Sequence, residues 1–210
     1  MNTIKRLTII VVAAIAAAAL NSCGKEDAEG SSSAIVGTWE FVKTEYTFCG
    51  KSVGSEVMSD TEMYTFREDG ICELPQKTEE VSNIARIPYK YSAKSKTLSM
   101  MLLGTFEIVF DVINLNSTKL TLSCPNSRAF LPYGTYKKGE EVDTYNGVTI
   151  YEYGLTDEGE IYWGDEYCYK DSKGNIVPCS KISDEEFDGT FSGDENGYYD
   201  TSISYFKRVR

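Results

Sequence analysis

The chain contains no histidine. This removes the usual general base, the usual proton shuttle and the usual nitrogen ligand for zinc, so Ser–His and Cys–His nucleophile pairs and mixed Cys/His metal centres are excluded together. No serine-nucleophile elbow is expected. Carboxylates such as Asp165 and Glu166 are left as the only acid–base candidates, and without a convergent constellation around them the chain is not expected to be an enzyme. Basic charge is also short: 21 Lys and Arg stand against 32 Asp and Glu. That balance argues against nucleic acid and against anionic membrane surfaces as partners. Proline is scarce, at 5 of 210 residues, while glycine, aromatic and β-branched residues are frequent, the profile of an all-β protein.

The long apolar run is confined to the start. Lys5 and Arg6 precede Leu7 to Leu20, fourteen residues broken only by Thr8, with small residues near the end. This is the layout of a secretory signal peptide, and it is too short to span a bilayer core of about 30 Å. Leu20-Asn21-Ser22-Cys23 resembles a bacterial lipobox. The resemblance implies cleavage before Cys23 and lipid attachment to its sulfur, with more than one acyl chain and therefore a stable membrane anchor. Without Lys5 and Arg6 the basic residues fall to 19 against 32 acidic, a mature charge of −13. Gly24-Lys25-Glu26-Asp27-Ala28-Glu29 resembles the export signal that carries Bacteroidetes lipoproteins to the cell surface; an acidic tether facing the periplasm is the alternative. Residues 1–22 thus read as signal peptide and 23–34 as a flexible tether. Residues 35–210 form the folded part.

In that part, Ile35, Gly37, Trp39 and Phe41 alternate with polar residues as a half-buried strand does, and the apolar positions then shift to Val42, Tyr46 and Phe48, which predicts a bend or bulge. Tyr64 and Phe66 lead into Glu68-Asp69-Gly70. A three-residue loop with Gly70 left-handed sets Phe66 opposite Cys72 and keeps one face apolar, whereas a two-residue loop would mix the faces. Ile87, Tyr89 and Tyr91, then Leu98, Met100 and Leu102, then Phe106, Ile108, Phe110 and Val112, then Leu120, Leu122 and Cys124 continue the alternation, the last with Thr121 and Ser123 outward. Seven strands at hairpin spacing make an up-and-down meander.

Gly37-Thr38-Trp39, the hairpin Thr65-Phe66-Arg67-Glu68-Asp69-Gly70 and the closing Tyr205-Phe206-Lys207-Arg208-Val209 resemble the lipocalin-like domains of Bacteroidetes lipoproteins. The likeness covers Ile35 to Cys124 and the last ten residues. It implies an up-and-down antiparallel β-barrel of about eight strands, Trp39 closing one end, and an interior able to hold one small apolar or amphipathic ligand. Phe41, Tyr64, Phe66, Tyr89, Tyr91, Phe106 and Phe110 are the candidate lining.

About 75 residues, numbers 125–200, intervene before the eighth strand, too many for a structureless loop. Strand signals at Val148 to Tyr153, Glu160 to Trp163, Glu166 to Tyr169 and Ile176 to Lys181 predict a small antiparallel sheet there. Cys168 and Cys179 flank the turn Asp171-Ser172-Lys173-Gly174-Asn175, and directly opposite positions would allow a disulfide. Cys49, Cys72 and Cys124 leave one further bond open. Eleven of the fifteen tyrosines fall from Tyr133 to Tyr205. They suit partly buried strands, or, with Tyr162 and Trp163 foremost, contact with a glycan or a partner subunit. The acidic stretches Asp184 to Asp188 and Asp194 to Gly197 fail the EF-hand pattern, because Ser192 and Ile203 fall on the first and last ligand positions. No metal and no cofactor are expected.

Overall fold

The computed structural model describes residues 34–58, 61–77, 82–102, 106–129, 135–157, 160–182 and 189–209. The signal segment, Cys23, Leu103 and the acidic cluster Asp184 to Asp188 lie outside the described residues. The fold is all-β, with fifteen strands and one helical turn, α1 (Asn126–Ala129). The strands are β1 (Gly37–Phe48), β2 (Lys51–Met58), β3 (Met63–Phe66), β4 (Ile71–Lys77), β5 (Ser82–Ser92), β6 (Thr97–Leu102), β7 (Phe106–Leu115), β8 (Lys119–Pro125), β9 (Thr135–Tyr145), β10 (Val148–Asp157), β11 (Glu160–Lys170), β12 (Ile176–Lys181), β13 (Gly189–Gly193), β14 (Tyr198–Tyr199) and β15 (Thr201–Arg208). They form two compact units whose boundaries fall within β1, β8 and β15. The first takes the chain up to Val42, Asp60–Leu122 and Tyr205–Arg210; the second takes Lys43–Ser59 and Ser123–Ser204.

The first unit is the barrel. Around it run β1, β15, β8, β7, β6, β5, β4 and β3, and the pairing of β3 back onto β1 closes the ring at eight strands, a lipocalin-like barrel. Closure matters because it leaves no open edge among these strands. The β3–β4 hairpin has the register expected from its glycine: Phe66 faces Cys72 and Thr65 faces Glu73. Gly70 sits at φ +80°, and its N–H donates to the Arg67 carbonyl at 3.2 Å. The alternation of Leu98, Met100 and Leu102 reappears as strict alternation of buried and partly buried positions along β6. Strand β8 departs from expectation: Thr121 and Ser123 are buried as well as Leu120, Leu122 and Cys124.

One end is plugged around Trp39, which has no exposed surface. Its Nε1–H donates to the Ile35 carbonyl at 2.8 Å, and the Arg208 guanidinium lies over the indole at 4.4 Å. Arg208 in turn donates from Nη1 to the Val36 carbonyl and from Nη2 to the Ala34 carbonyl, at 3.1 and 2.6 Å, tying the final strand to the residues that lead into the first. Two residues before the tryptophan, Gly37 has a φ of +134°, and a Cβ there would sit 3.1 Å from Arg208 Nη1, so glycine fits the position.

In the second unit, the later half of β1 changes partner from β3 to β2, with a register shift between Tyr46 and Thr47, so the expected irregularity falls farther along than the sequence pattern indicated. Strand β13 then adds to β2. The small antiparallel sheet anticipated in the insertion has five strands, in the order β14-β12-β11-β10-β9. The segments 160–163 and 166–169 form the single strand β11 rather than two. Phe48, Ile150, Tyr169, Cys179 and Tyr198 form its buried cluster, with Tyr145 and Tyr167 packed against it. Phe48 meets Tyr145 and Tyr169 at centroid distances of 5.2 and 5.0 Å, and Tyr198 meets Tyr145 and Tyr167 at 5.6 and 5.3 Å. Tilted and edge-on pairs of this kind contribute about 0.5–1.5 kcal/mol each beyond area burial. Four tyrosines of the segment, Tyr145, Tyr167, Tyr169 and Tyr198, thus build this core.

The expected Cys168–Cys179 disulfide is corrected by register. Asp171 to Asn175 form a five-residue loop closed by Lys170 facing Ile176, so Cys168 faces Pro178 and Cys179 faces Tyr167. A one-residue offset puts the two sulfurs on opposite faces of the hairpin. No disulfide joins any of Cys49, Cys72, Cys124, Cys168 and Cys179.

Candidate functional site

The inward face of the barrel is built by strand alternation, and the register across neighbouring strands shows what it assembles. Tyr91, Leu98 and Phe110 form one row, and Tyr89, Met100 and Ile108 the next. Phe106 pairs with Leu102. On the other side Trp39 faces Tyr64, and Gly37 faces Phe66. Phe206 lies between two of the candidate rings, edge-on to Phe41 at 5.5 Å and to Tyr64 at 5.1 Å. Phe66 and Tyr89 meet edge-on at 5.0 Å. The six candidates other than Phe106 thus join one aromatic and aliphatic surface. Phe206 was not nominated from sequence, although the alternation Tyr205-Phe206-Lys207-Arg208 was the signal for it.

Three polar groups punctuate this surface. The Tyr64 hydroxyl donates to Glu62 Oε2 at 3.3 Å, and burial, followed by the charge of Glu62, pushes its phenol well above the ordinary 10.0. The Tyr89 hydroxyl donates to the Arg67 carbonyl at 2.6 Å. Burial pushes the Cys72 thiol up to about 12, with a smaller contribution from the charge of Glu73. At neutral pH that sulfur is therefore a protonated, unreactive thiol. An apolar body can be held by such rings and a polar end by the Tyr64–Glu62 pair.

The second unit gathers a buried polar centre that the sequence did not announce. Asp200 is 7% exposed. Its Oδ2 accepts from the Cys49 N–H and from the Tyr169 hydroxyl, both at 2.7 Å, and its Oδ1 accepts from the Thr201 hydroxyl at 2.9 Å. Its own N–H donates to the Thr47 carbonyl and its carbonyl accepts from the Asn126 N–H. Asn126, also buried, donates from Nδ2 to Ser180 Oγ and to the Tyr199 carbonyl. Every one of these bonds is internal to the fold, so the centre fixes strand ends rather than meeting a substrate.

Burial and the hydrogen bond to Asp200 raise the Tyr169 phenol above 10.0. A raised value in the folded state means that the neutral form is favoured; the stabilisation is complete below the unfolded value near 10 and is lost as pH rises beyond it. Tyr169→Phe is therefore expected to flatten the alkaline loss of stability by up to about 1.4 kcal/mol per pH unit above pH 10. Urea midpoints of both proteins between about pH 8 and 11 measure it, and parallel slopes would contradict the assignment.

Tyr162 and Trp163 lie on β11 opposite Leu155 and Gly154; their side chains fall outside the described residues. A Gly-x-Ser-x-Gly string does occur, at Gly50 to Gly54. It spans the β1–β2 hairpin, where Cys49 and Gly50 take φ of 50° and 74°, not the strand-to-helix turn that aims a nucleophile. Asp194 accepts from the Tyr145 hydroxyl at 3.0 Å and from the Asn196 N–H at 3.2 Å. Among the described residues no group of His, Cys, Asp or Glu is arranged to hold a metal ion. No protein-family model matches the sequence, and comparison with curated proteins and with solved structures finds no significant match.

Proposed function

We propose that this chain is a lipid-anchored outer-membrane lipoprotein of the Bacteroidetes lipocalin-like type, held at the cell surface through Cys23, whose barrel binds one small apolar or amphipathic molecule without transforming it. The observation that carries the reading is the closed eight-stranded barrel whose aromatic surface gathers Phe41, Tyr64, Phe66, Tyr89, Tyr91, Phe110 and Phe206, with the Tyr64–Glu62 hydroxyl–carboxylate pair on it. Rings and aliphatic chains supply area, and Tyr64 with Glu62 selects a ligand end that donates hydrogen bonds, since the glutamate accepts. The lipobox places the anchor, and the polar tether lets the folded part stand off the membrane.

Native mass spectrometry of the protein extracted from its host membrane in mild detergent tests both halves. The expected species begins at Cys23, carries acyl chains that Cys23→Ser abolishes, and retains a single small-molecule adduct that Phe206→Arg, placing a charge among the rings, releases. An unprocessed chain in the aqueous fraction would sink the anchor. A bound glycan or second protein that survives Phe206→Arg would sink the barrel reading.

A further inference from the structure

The up-and-down connection of the barrel sends every second turn to the same end. Residues 67–70, 93–96 and 116–118 follow β3, β5 and β7, and β1 begins beside them, since Gly37 faces Phe66. The last strand finishes there too: the Arg208 N–H donates to the Thr118 carbonyl and the Val209 N–H to the Thr38 carbonyl, both at 2.9 Å. The end plugged by Trp39 is therefore also the end at which the chain enters from the tether. Counted from Ile35, the barrel unit carries 10 Lys and Arg against 10 Asp and Glu, and the second unit 8 against 19, so the acidity of the protein belongs to the second unit. At the Trp39 end Arg67 is engaged by Asp69 and Glu73, Lys207 by Glu40, and Arg208 by the indole and two carbonyls. Lys94, Lys96 and Lys119 remain, all exposed, against Glu68 and the half-buried Asp111.

We infer that the Trp39 end of the barrel docks on an anionic lipid surface, with Lys94, Lys96 and Lys119 meeting lipid phosphates and Ile113 settling among the headgroups. The inference rests on the anchor reading of Cys23. Ala34 lies 11 residues beyond Cys23, a separation that even a fully extended chain holds to at most about 40 Å. This end of the barrel thus stays close to the bilayer that holds the acyl chains. Net charge disfavours an anionic surface for the chain as a whole, but screening over about 8 Å at physiological ionic strength makes local charge decide what a surface meets. The turns hold the lysines in place: the Lys96 carbonyl accepts from the Val112 N–H at 2.7 Å, and Asn116 Oδ1 accepts from the Thr118 and Lys119 N–H groups, both at 2.9 Å. Ile113, next in the chain to Val112, is 63% exposed. An aliphatic side chain close to lysines suits the boundary between water and headgroups, where apolar burial and attraction to anionic lipid add. The tether permits the folded part to stand off, and the lysines draw it back.

The acylated chain from its host membrane is reconstituted in vesicles of phosphatidylcholine with and without phosphatidylglycerol, in a Cys49→Ser background to remove the exposed thiol. A fluorophore is attached at Ile113→Cys or at Ile84→Cys; Ile84 is as exposed, at 62%, but lies at the other end of β5 from the Lys94 turn. Quenching by headgroup-labelled lipid is then read. The Ile113 probe is expected to be quenched strongly on anionic vesicles and weakly on neutral ones, and the Ile84 probe weakly on both. Each lysine near such a surface favours contact about fivefold, so Lys94→Gln, Lys96→Gln and Lys119→Gln together are expected to lower the ratio of docked to undocked protein about a hundredfold. Concentrated salt is expected to act likewise on the unsubstituted protein. A chain without acyl groups that stays out of the vesicles would overturn the anchor and the docking together. Acylated, vesicle-bound protein whose Ile113 probe is quenched no more than the Ile84 probe, or equally on neutral and anionic lipid, or regardless of the three lysines, would overturn the docking alone.

Discussion

Replacing Trp39 with alanine is expected to destabilise the protein by about 4–5 kcal/mol. Removing a wholly buried large aromatic side chain costs about 3–5 kcal/mol through lost transfer energy and the cavity left behind. Here the indole also carries the Arg208 guanidinium on its face and a hydrogen bond to Ile35. Desolvated cation–ring contacts of this sort are worth about 1 kcal/mol or more. Net stabilities of domains lie near 5–15 kcal/mol, so the variant approaches the unfolding threshold at room temperature. Trp39→Phe keeps a ring under the guanidinium and is expected to cost about half as much. Arg208→Lys separates the two contributions, since lysine cannot bridge the Val36 and Ala34 carbonyls with a planar fork. Urea denaturation followed by far-UV circular dichroism measures all three, and a loss below about 1 kcal/mol for Trp39→Ala would show that the plug is not what holds that end of the barrel shut.

Asp200→Ala is the second large effect, at about 3–4 kcal/mol. It strips the acceptor from three donors at once, the Cys49 N–H and the Tyr169 and Thr201 hydroxyls. A buried donor left without a partner costs about 1–3 kcal/mol. Of the three, the Thr201 and Tyr169 hydroxyls can turn and the Cys49 N–H cannot. Asp200→Asn is expected to cost about 1 kcal/mol, because its amide oxygen can still take the two donors now on Oδ2 and its amide nitrogen can donate to the threonine hydroxyl. In a double-mutant cycle Asp200→Ala and Tyr169→Phe should couple by about 1–3 kcal/mol. Additive losses would mean that the tyrosine contributes only its ring to the Phe48 cluster.

The barrel was legible because its strands alternate strictly and are joined by short turns. Leu98, Met100 and Leu102 could be assigned to one face from spacing alone, and Gly70 fixed the Phe66–Cys72 register by excluding the two-residue loop. What escaped was of two kinds. Strands β2, β9, β13 and β14 are short, polar or charged, and a charged run such as Lys137 to Glu141 has no periodic apolar signal from which to infer a strand. The second kind was parity. The turn Asp171 to Asn175 was recognised, but its closing pair was not, and one residue of offset sufficed to separate Cys168 from Cys179. The site divided in the same way. Six of the seven candidate lining residues are gathered by alternation, whereas Phe206 had to come from the opposite end of the chain and Asp200 was one acidic residue among many.

The amino-acid sequence alone determined the all-β class, the barrel's order of strands, the inward face and the exclusion of histidine chemistry, because each follows from local periodicity or from residues simply not being present. Tertiary structure decided which strand closes on which, that Tyr145, Tyr167, Tyr169 and Tyr198 pack into one core, and that no disulfide joins the described cysteines. Those outcomes depend on register between segments distant along the chain. Local sequence carries no information about such an offset, whose energy is set by the partners it brings together.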